Sequence, residues 1–207
     1  TLKMLIDTMQ EPQLMLAFNS VKFFREDMQG ACDSLAFHIP DSIVYMYYNP
    51  VIWSGENQLA ADTIKFLMLD SSNIEVYLLK AGFIVSSVSA ETGFNQIKGI
   101  NITGYIFDKE LTHVDVIGNA ECLYYIQEED SSLIGVNYSA TSEMRIELKQ
   151  NEVSSISFYN DPDGQINPLE EMNEKDKLLK DFRWLIEYRA LSPKDIFYNP
   201  IDRIKYK

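Results

Sequence analysis

The sequence predicts a mainly β protein built from stacked antiparallel hairpins. Three observations carry that expectation. CDSLAF (Cys32 to Phe37) and ADTIKF (Ala61 to Phe66) repeat with an offset of 29 residues, and Asp41-Ser42 and Asp70-Ser71 follow at the same offset. Looser copies follow in ITGYIF (Ile102 to Phe107) and MRIEL (Met144 to Leu148), with Phe66, Phe107 and Leu148 each 41 apart. Aromatic residues make up 12% of the chain, led by twelve Tyr and eleven Phe, and such side chains favour strands. A repeat of this kind means stacked units, each unable to bury its apolar face alone.

Each unit reads as a strand, a turn and a returning strand. In the first, Leu35 and Phe37 alternate, Pro40-Asp41-Ser42 turns, and Ile43 to Tyr48 returns. In the second, Ile64 and Phe66 alternate, Asp70 to Asn73 turns, and Ile74 to Leu79 returns. The third runs through Tyr105 and Phe107, turns at Asp108-Lys109-Glu110, and returns along Leu111 to Ile117. The fourth runs through Ile146 and Leu148, turns at Gln150-Asn151, and returns along Val153 to Tyr159. Asp, Asn and Ser between period-two runs close turns through their own side chains. Linking strands are expected at Val21 to Arg25, Val51 to Ser54, Phe83 to Ser86 and Cys122 to Ile126, with Leu14, Leu16 and Phe18 in a strand that caps the ladder.

Stacking in register predicts two inward columns: Leu35, Ile64, Tyr105 and Ile146, then Phe37, Phe66, Phe107 and Leu148. The neighbours Ala36, Lys65 and Glu147 then face water, and Ile106 breaks the rule. Two runs, IVYMYY (Ile43 to Tyr48) and AGFIVS (Ala81 to Ser86), are apolar on both faces, as in a strand covered on both sides. Beyond residue 160 the pattern changes. Asn167 as N-cap, Pro168 and Glu170-Glu171 predict a short amphipathic helix carrying Leu169, Met172 and Leu179 and ending near Phe182. The expected division is a β-repeat domain over residues 1–160 and a turn, helix and tail over 161–207 packed on it. The tail beyond Pro200 is basic.

At 207 residues the chain is long enough to bury a full core without staples. A formal net charge of −13 disfavours nucleic acid, whose phosphates need clustered Lys and Arg. Cys32 and Cys122 lie 90 apart outside any CxxC pattern; buried free thiols are expected, with a bridge left open. No apolar run is long enough to cross a membrane as a helix, and the chain opens at Thr1 without a signal peptide, as a processed or trimmed one would.

No catalytic set emerges. His38 and His113 lack neighbouring ligands at metal spacing, and no nucleophile-elbow or glycine-rich phosphate pattern occurs. Asp161-Pro162-Asp163-Gly164 resembles part of a calcium loop, but the register puts Tyr159 where the first carboxylate belongs, so a turn is expected. The acids cluster at turns such as Glu128-Glu129-Asp130, where solvation accounts for them. The expectation is a non-enzyme with no cofactor and no metal.

The unit VIWSGENQLAADTIKF (Val51 to Phe66) resembles the repeat of the OstA-like family, the LptA type of periplasmic lipopolysaccharide-transport protein. The match rests on the Val-x-x-Ser strand, on Leu59, Ala61 and Asp62, and on the x-Ile-x-Phe that follows. VKFFREDMQGACDSLAF (Val21 to Phe37) fits the same frame with Gly30 and Asp33, and the resemblance spans roughly residues 13 to 160. The last stretch, with Trp184 and Asp195-Ile196-Phe197, is similar to a larger, divergent branch. The resemblance implies a V-shaped β-taco or β-jellyroll whose slot shields lipopolysaccharide or lipid A acyl chains in the periplasm. It further implies open end strands that pair with a protein partner or a second copy, and slot-lining roles for Leu35, Phe37, Ile64, Phe66, Tyr105, Phe107, Ile146 and Leu148. The alternative expectation is a structural envelope module, its core closed by its own side chains, that docks through sheet edges.

Overall fold

A computed structural model describes residues 1–89, 93–128, 132–149 and 152–198. The basic tail and the Gln150-Asn151 turn expected above lie outside the described residues, as do Glu129 and Asp130. The strands are β1 (Leu2–Ile6), β2 (Pro12–Arg25), β3 (Met28–His38), β4 (Ile43–Tyr47), β5 (Val51–Ser54), β6 (Asn57–Ala60) and β7 (Thr63–Met68). They continue as β8 (Ile74–Ser89), β9 (Gly93–Phe107), β10 (Glu110–Gln127), β11 (Leu133–Lys149), β12 (Glu152–Tyr159) and β13 (Asp163–Pro168). All thirteen belong to one antiparallel sheet, as the stacked-hairpin pattern predicts.

That sheet is folded over along a line of corners. Five corners carry paired left-handed residues: Asn19-Ser20, Tyr48-Asn49, Lys80-Ala81, Gly118-Asn119 and Asn160-Asp161. The ladder breaks at the same places, between Phe18 and Val21, Leu79 and Gly82, and Ile117 and Ala120. Asn supplies four of the five pairs, because its short polar side chain tolerates positive φ. Asp161 therefore belongs to a corner, and Asp163-Gly164 opens β13. Long strands such as β8, β9, β10 and β11 run through the corner and contribute to both halves.

We call the two halves walls. Wall A holds β1, the first half of β2, the second half of β3, β4, β7, the outer ends of β8–β11 and β12. Wall B holds the second half of β2, the first half of β3, β5, β6, the inner ends of β8–β11 and β13. Their inner faces meet in one core that contains Met46, Ile64, Leu78, Ile102, Val116 and Met144 from wall A and Cys32, Ile52, Ala120 and Cys122 from wall B. Both cysteines are free and buried.

The C-terminal segment differs from the predicted helix. Asn167 and Pro168 end β13, paired with Val136 and Gly135, so Asn167 caps nothing. A 3-10 turn over Leu169–Glu171 follows, and then the chain crosses the outer face of wall B as a strap that includes a second 3-10 turn over Ile186–Tyr188. The reason is tertiary. Gln96 donates to the carbonyl of Lys177 and accepts from the N–H of Leu179, both at 2.8 Å. Gln58 grips Arg183 and Leu185 in the same way, at 2.7 and 2.6 Å. Each amide thus binds two backbone groups two residues apart, a geometry that an extended chain offers and a helix does not. Further along, Arg189 reaches Gln29 at 2.7 Å, and a four-residue helix α1 (Asp195–Tyr198) closes the described segment.

The strap explains AGFIVS, one of the two runs that are apolar on both faces. The other, IVYMYY, lies on wall A, where Tyr45 and Tyr47 stack on each other on the outer face. Phe83 and Val85 point outward beneath Leu179, Phe182 and Trp184, while Ile84 between them faces the core. Trp53 is buried beneath Leu185 and Tyr188.

Candidate lipid-binding slot

Direct cross-strand pairs share a face, so the register lists which side chains line the cleft between the walls. On wall A the row nearest the corner runs Leu35, Met46, Ile64, Leu78, Ile102, Val116, Met144. The next row runs Phe37, Val44, Phe66, Val76, Gly104, Val114, Ile146. A third, at the lip, holds Met68, Ile74, Ile106 and, on β11, Leu148. None of these side chains is charged. The first row is sealed, with Met46, Ile64 and Val116 at 0% exposure, whereas Phe66, Ile74, Ile106 and Leu148 are half-buried. The cleft is closed at its corner and loosens toward its mouth.

Six of the eight residues singled out from the sequence therefore face inward. Leu35 and Ile64 share the first row, and Phe37 and Phe66 share the second. Ile146 joins Phe37 and Phe66 rather than Leu35, and Leu148 lies one row farther out, because β11 continues two residues beyond the frame set by the motif. Tyr105 and Phe107 are on the opposite face. Val76 and Val114 both pair with Gly104, which fixes Ile102, Gly104 and Ile106 as the inward set of β9. A slip of one residue turns every side chain over. The third hairpin also closes through two residues, Asp108 and Lys109, both with positive φ, where the second uses a longer turn, so matching Phe107 to Phe66 by type misplaces the strand. Phe107 is 60% exposed at that turn, and Tyr105 stacks on His113 with ring centroids 4.2 Å apart.

On wall B the small residues Cys32, Gly82, Gly99 and Ala120 adjoin the corner, and the next inward row holds Phe23, Ile52, Leu59, Ile84, Ile97 and Cys122. The row beyond begins at Met28 and at Arg25, which is paired with Asp27, and continues neutral and polar with Ser54, Asn57, Ser86, Asn95, Tyr124 and Asn137. Ser86 donates to Asn57, and Asn95 accepts from the N–H of Tyr125 at 2.9 Å. Burial pushes the Cys122 thiol up to about 12, and burial with the nearby Asp33 does the same to Cys32.

The charges stand outside the cleft, on the outer face of wall A. Arg145 makes a two-pronged pair with Asp115 at 2.6 and 2.7 Å. Lys65 sits 4.5 Å over the Tyr77 ring, and the Tyr77 hydroxyl is pushed up to about 12, chiefly by its hydrogen bond to Glu75. His38 meets Tyr45 edge to face. Arg145 and Asp115 satisfy each other, as do Tyr77 and Glu75, and Thr112 Oγ1 lies 3.1 Å from Nδ1 of His113.

No protein-family profile and no curated protein sequence matches the chain. Among solved structures it is similar in fold to LptH, the LptA-homologous periplasmic component of the lipopolysaccharide transport device of Pseudomonas aeruginosa. The match has 16% sequence identity and a TM-score of 0.51, and covers 70% of this chain and all of that one. The likeness is one of fold, a folded antiparallel β-jellyroll.

Proposed function

We propose that this protein is a non-enzymatic, periplasmic lipid carrier of the lipopolysaccharide-transport type, holding acyl chains between its two walls. The observation that carries the reading is the uninterrupted uncharged lining of wall A, sealed at the corner and half-open at the lip. A cleft of that polarity gains ~0.8 kcal/mol for each methylene it takes from water, so an acyl chain is held without any charged contact. The net charge of −13 leaves a phosphorylated headgroup outside in solvent. The fold shared with a lipopolysaccharide-transport component supports the same reading. Among the described residues the strands that end the walls are β1 and β12 on wall A and the second half of β2 and β13 on wall B, where a protein partner or a second copy would add strands.

Adjacent residues on opposite faces provide the test. A photoreactive phenylalanine analogue at Phe66 points into the cleft, and the same group at Lys65 points away from it. With purified lipopolysaccharide, adducts are expected at position 66 alone. Folded protein that labels at neither position refutes the carrier and leaves a closed-core docking module as the reading.

A further inference from the structure

One inward position in the middle of wall A is empty of side chain. Gly104 lies in the second row between Val76 and Val114, which are 7% and 4% exposed. A β-carbon added there would have a single heavy-atom neighbour within 4 Å, Leu111 Cδ1 at 3.4 Å, from its own wall. Glycines at the corner differ sharply. A β-carbon on Gly99 would come within 2.5 Å of Val116, and one on Gly82 within 2.9 Å of Ile102, so their space is filled. The φ of Gly104 is not left-handed, so no backbone requirement explains a glycine in mid-strand, where it weakens the sheet. The row is bulky at Phe66 on one side and Ile146 on the other, and smallest at Val76, Gly104 and Val114. Close-packed interiors leave few such gaps.

The opposite lip has its own chemistry at this point. On β9, counted from the unpaired corner residue Ile100, Gly104 lies four residues along wall A and Asn95 five along wall B, so the two stand at similar depth in the cleft. Beside Asn95 in its row are Ser86 and Tyr124. The lip there is neutral and hydrogen-bonding, with no cation.

Building on the carrier reading, we propose that Gly104 floors a notch seating one linear acyl chain, whose uncharged hydrogen-bonding linkage lies along Ser86, Asn95 and Tyr124. An amide, ester or hydroxyl at the head of the chain suits that lip. A carboxylate in place of that linkage would be desolvated without a countercharge.

The test uses two probes with the same diazirine-bearing chain, a monoacylglycerol and the free fatty acid, whose carboxylate puts a charge at the head of the chain, on the wild type, Gly104→Val and Gly104→Ala. Wild type should label with the monoacylglycerol in preference to the fatty acid. Gly104→Val should melt at or above the wild-type temperature, since a β-branched residue suits a strand, yet label roughly tenfold less, the equivalent of about two methylenes displaced. Gly104→Ala, whose methyl fits beside Leu111, should show a smaller loss, and this variant decides the matter should valine impair folding. Undiminished labelling of folded Gly104 variants overturns the notch while leaving the carrier standing. Equal labelling by both probes overturns the neutral linkage. Wild type that labels with neither probe overturns the carrier and the notch together.

Discussion

Replacing Gln96 with leucine tests whether the strap is held by its amide clamps. Gln96 is fully buried; it donates to the Lys177 carbonyl and accepts from the Leu179 N–H, both at 2.8 Å, and also donates locally to the Phe94 carbonyl at 3.1 Å. Leucine keeps the volume and removes both bonds to the strap. Two ordinary hydrogen bonds contribute about 2 kcal/mol net, and stranding the N–H of buried Leu179 raises the cost toward ~4 kcal/mol. The strap can open without unfolding the sheet, so a local readout is needed. Trypsin cleavage at Lys180 and Arg183 reports that opening, and ~2–4 kcal/mol corresponds to a roughly thirty- to several-hundred-fold faster cut. Gln165→Leu is the control, being exposed in the same row without a strap bond. A rise of less than about threefold in Gln96→Leu would refute the clamp, because neither bond could then contribute its usual share.

Two further outcomes follow from corner geometry and burial. Ala81 is exposed with φ +55°, so Ala81→Gly relieves left-handed strain of ~1–2 kcal/mol against an entropic cost of ~0.5–1 kcal/mol; urea unfolding should show a small net gain, and a loss would mean that the corner is not strained there. Cys32 and Cys122 are buried with their thiols pushed up to about 12, so they stay protonated and shielded at about pH 8. Native protein should resist Ellman's reagent and denatured protein should release both thiols, and fast release from native protein would place a cysteine at an open surface.

The hairpins were legible because turn chemistry and period two are local signals. Val51–Ser54 is a strand with the expected bounds, and Ile43–Tyr47 falls one residue short of them. The fold line leaves its trace in Asn19, Asn49, Asn119 and Asn160, each at a left-handed corner. In sequence those residues look like ordinary loop punctuation, since nothing local says that the strand continues past them. The inward face was legible where motif and register coincide, at Phe37 and Phe66. It failed at Tyr105 and Phe107, where a two-residue turn resets the register and side-chain type misleads. The strap was hidden because its cause lies far away in the chain. Gln58 and Gln96 sit 125 and 81 residues from the carbonyls they grip, and helical propensity after Pro168 yields to those contacts. The trace they leave is a glutamine at a buried strand position, as in Asn57-Gln58-Leu59 and Asn95-Gln96-Ile97.

The strap also divides the labour of the two walls. Wall B is buried on both faces over its middle strands, with Ile84 and Ile97 inside and Phe83, Val85 and Gln96 outside. Wall A is covered on its inner face only, and its outer face carries Tyr45, Lys65, Tyr77, Asp115 and Arg145. A wall packed on two sides has little freedom to bend, because displacement would strand buried amides at three glutamines and unpack Trp53, Phe83 and Leu123. A wall packed on one side yields more readily, and the open notch at Gly104 lies on that wall. On the carrier reading proposed above, admitting a chain would take movement of wall A against wall B, with the left-handed corners as the line about which it turns. The strap, lying outside the cleft, would then hold still the surface against which that chain is pressed.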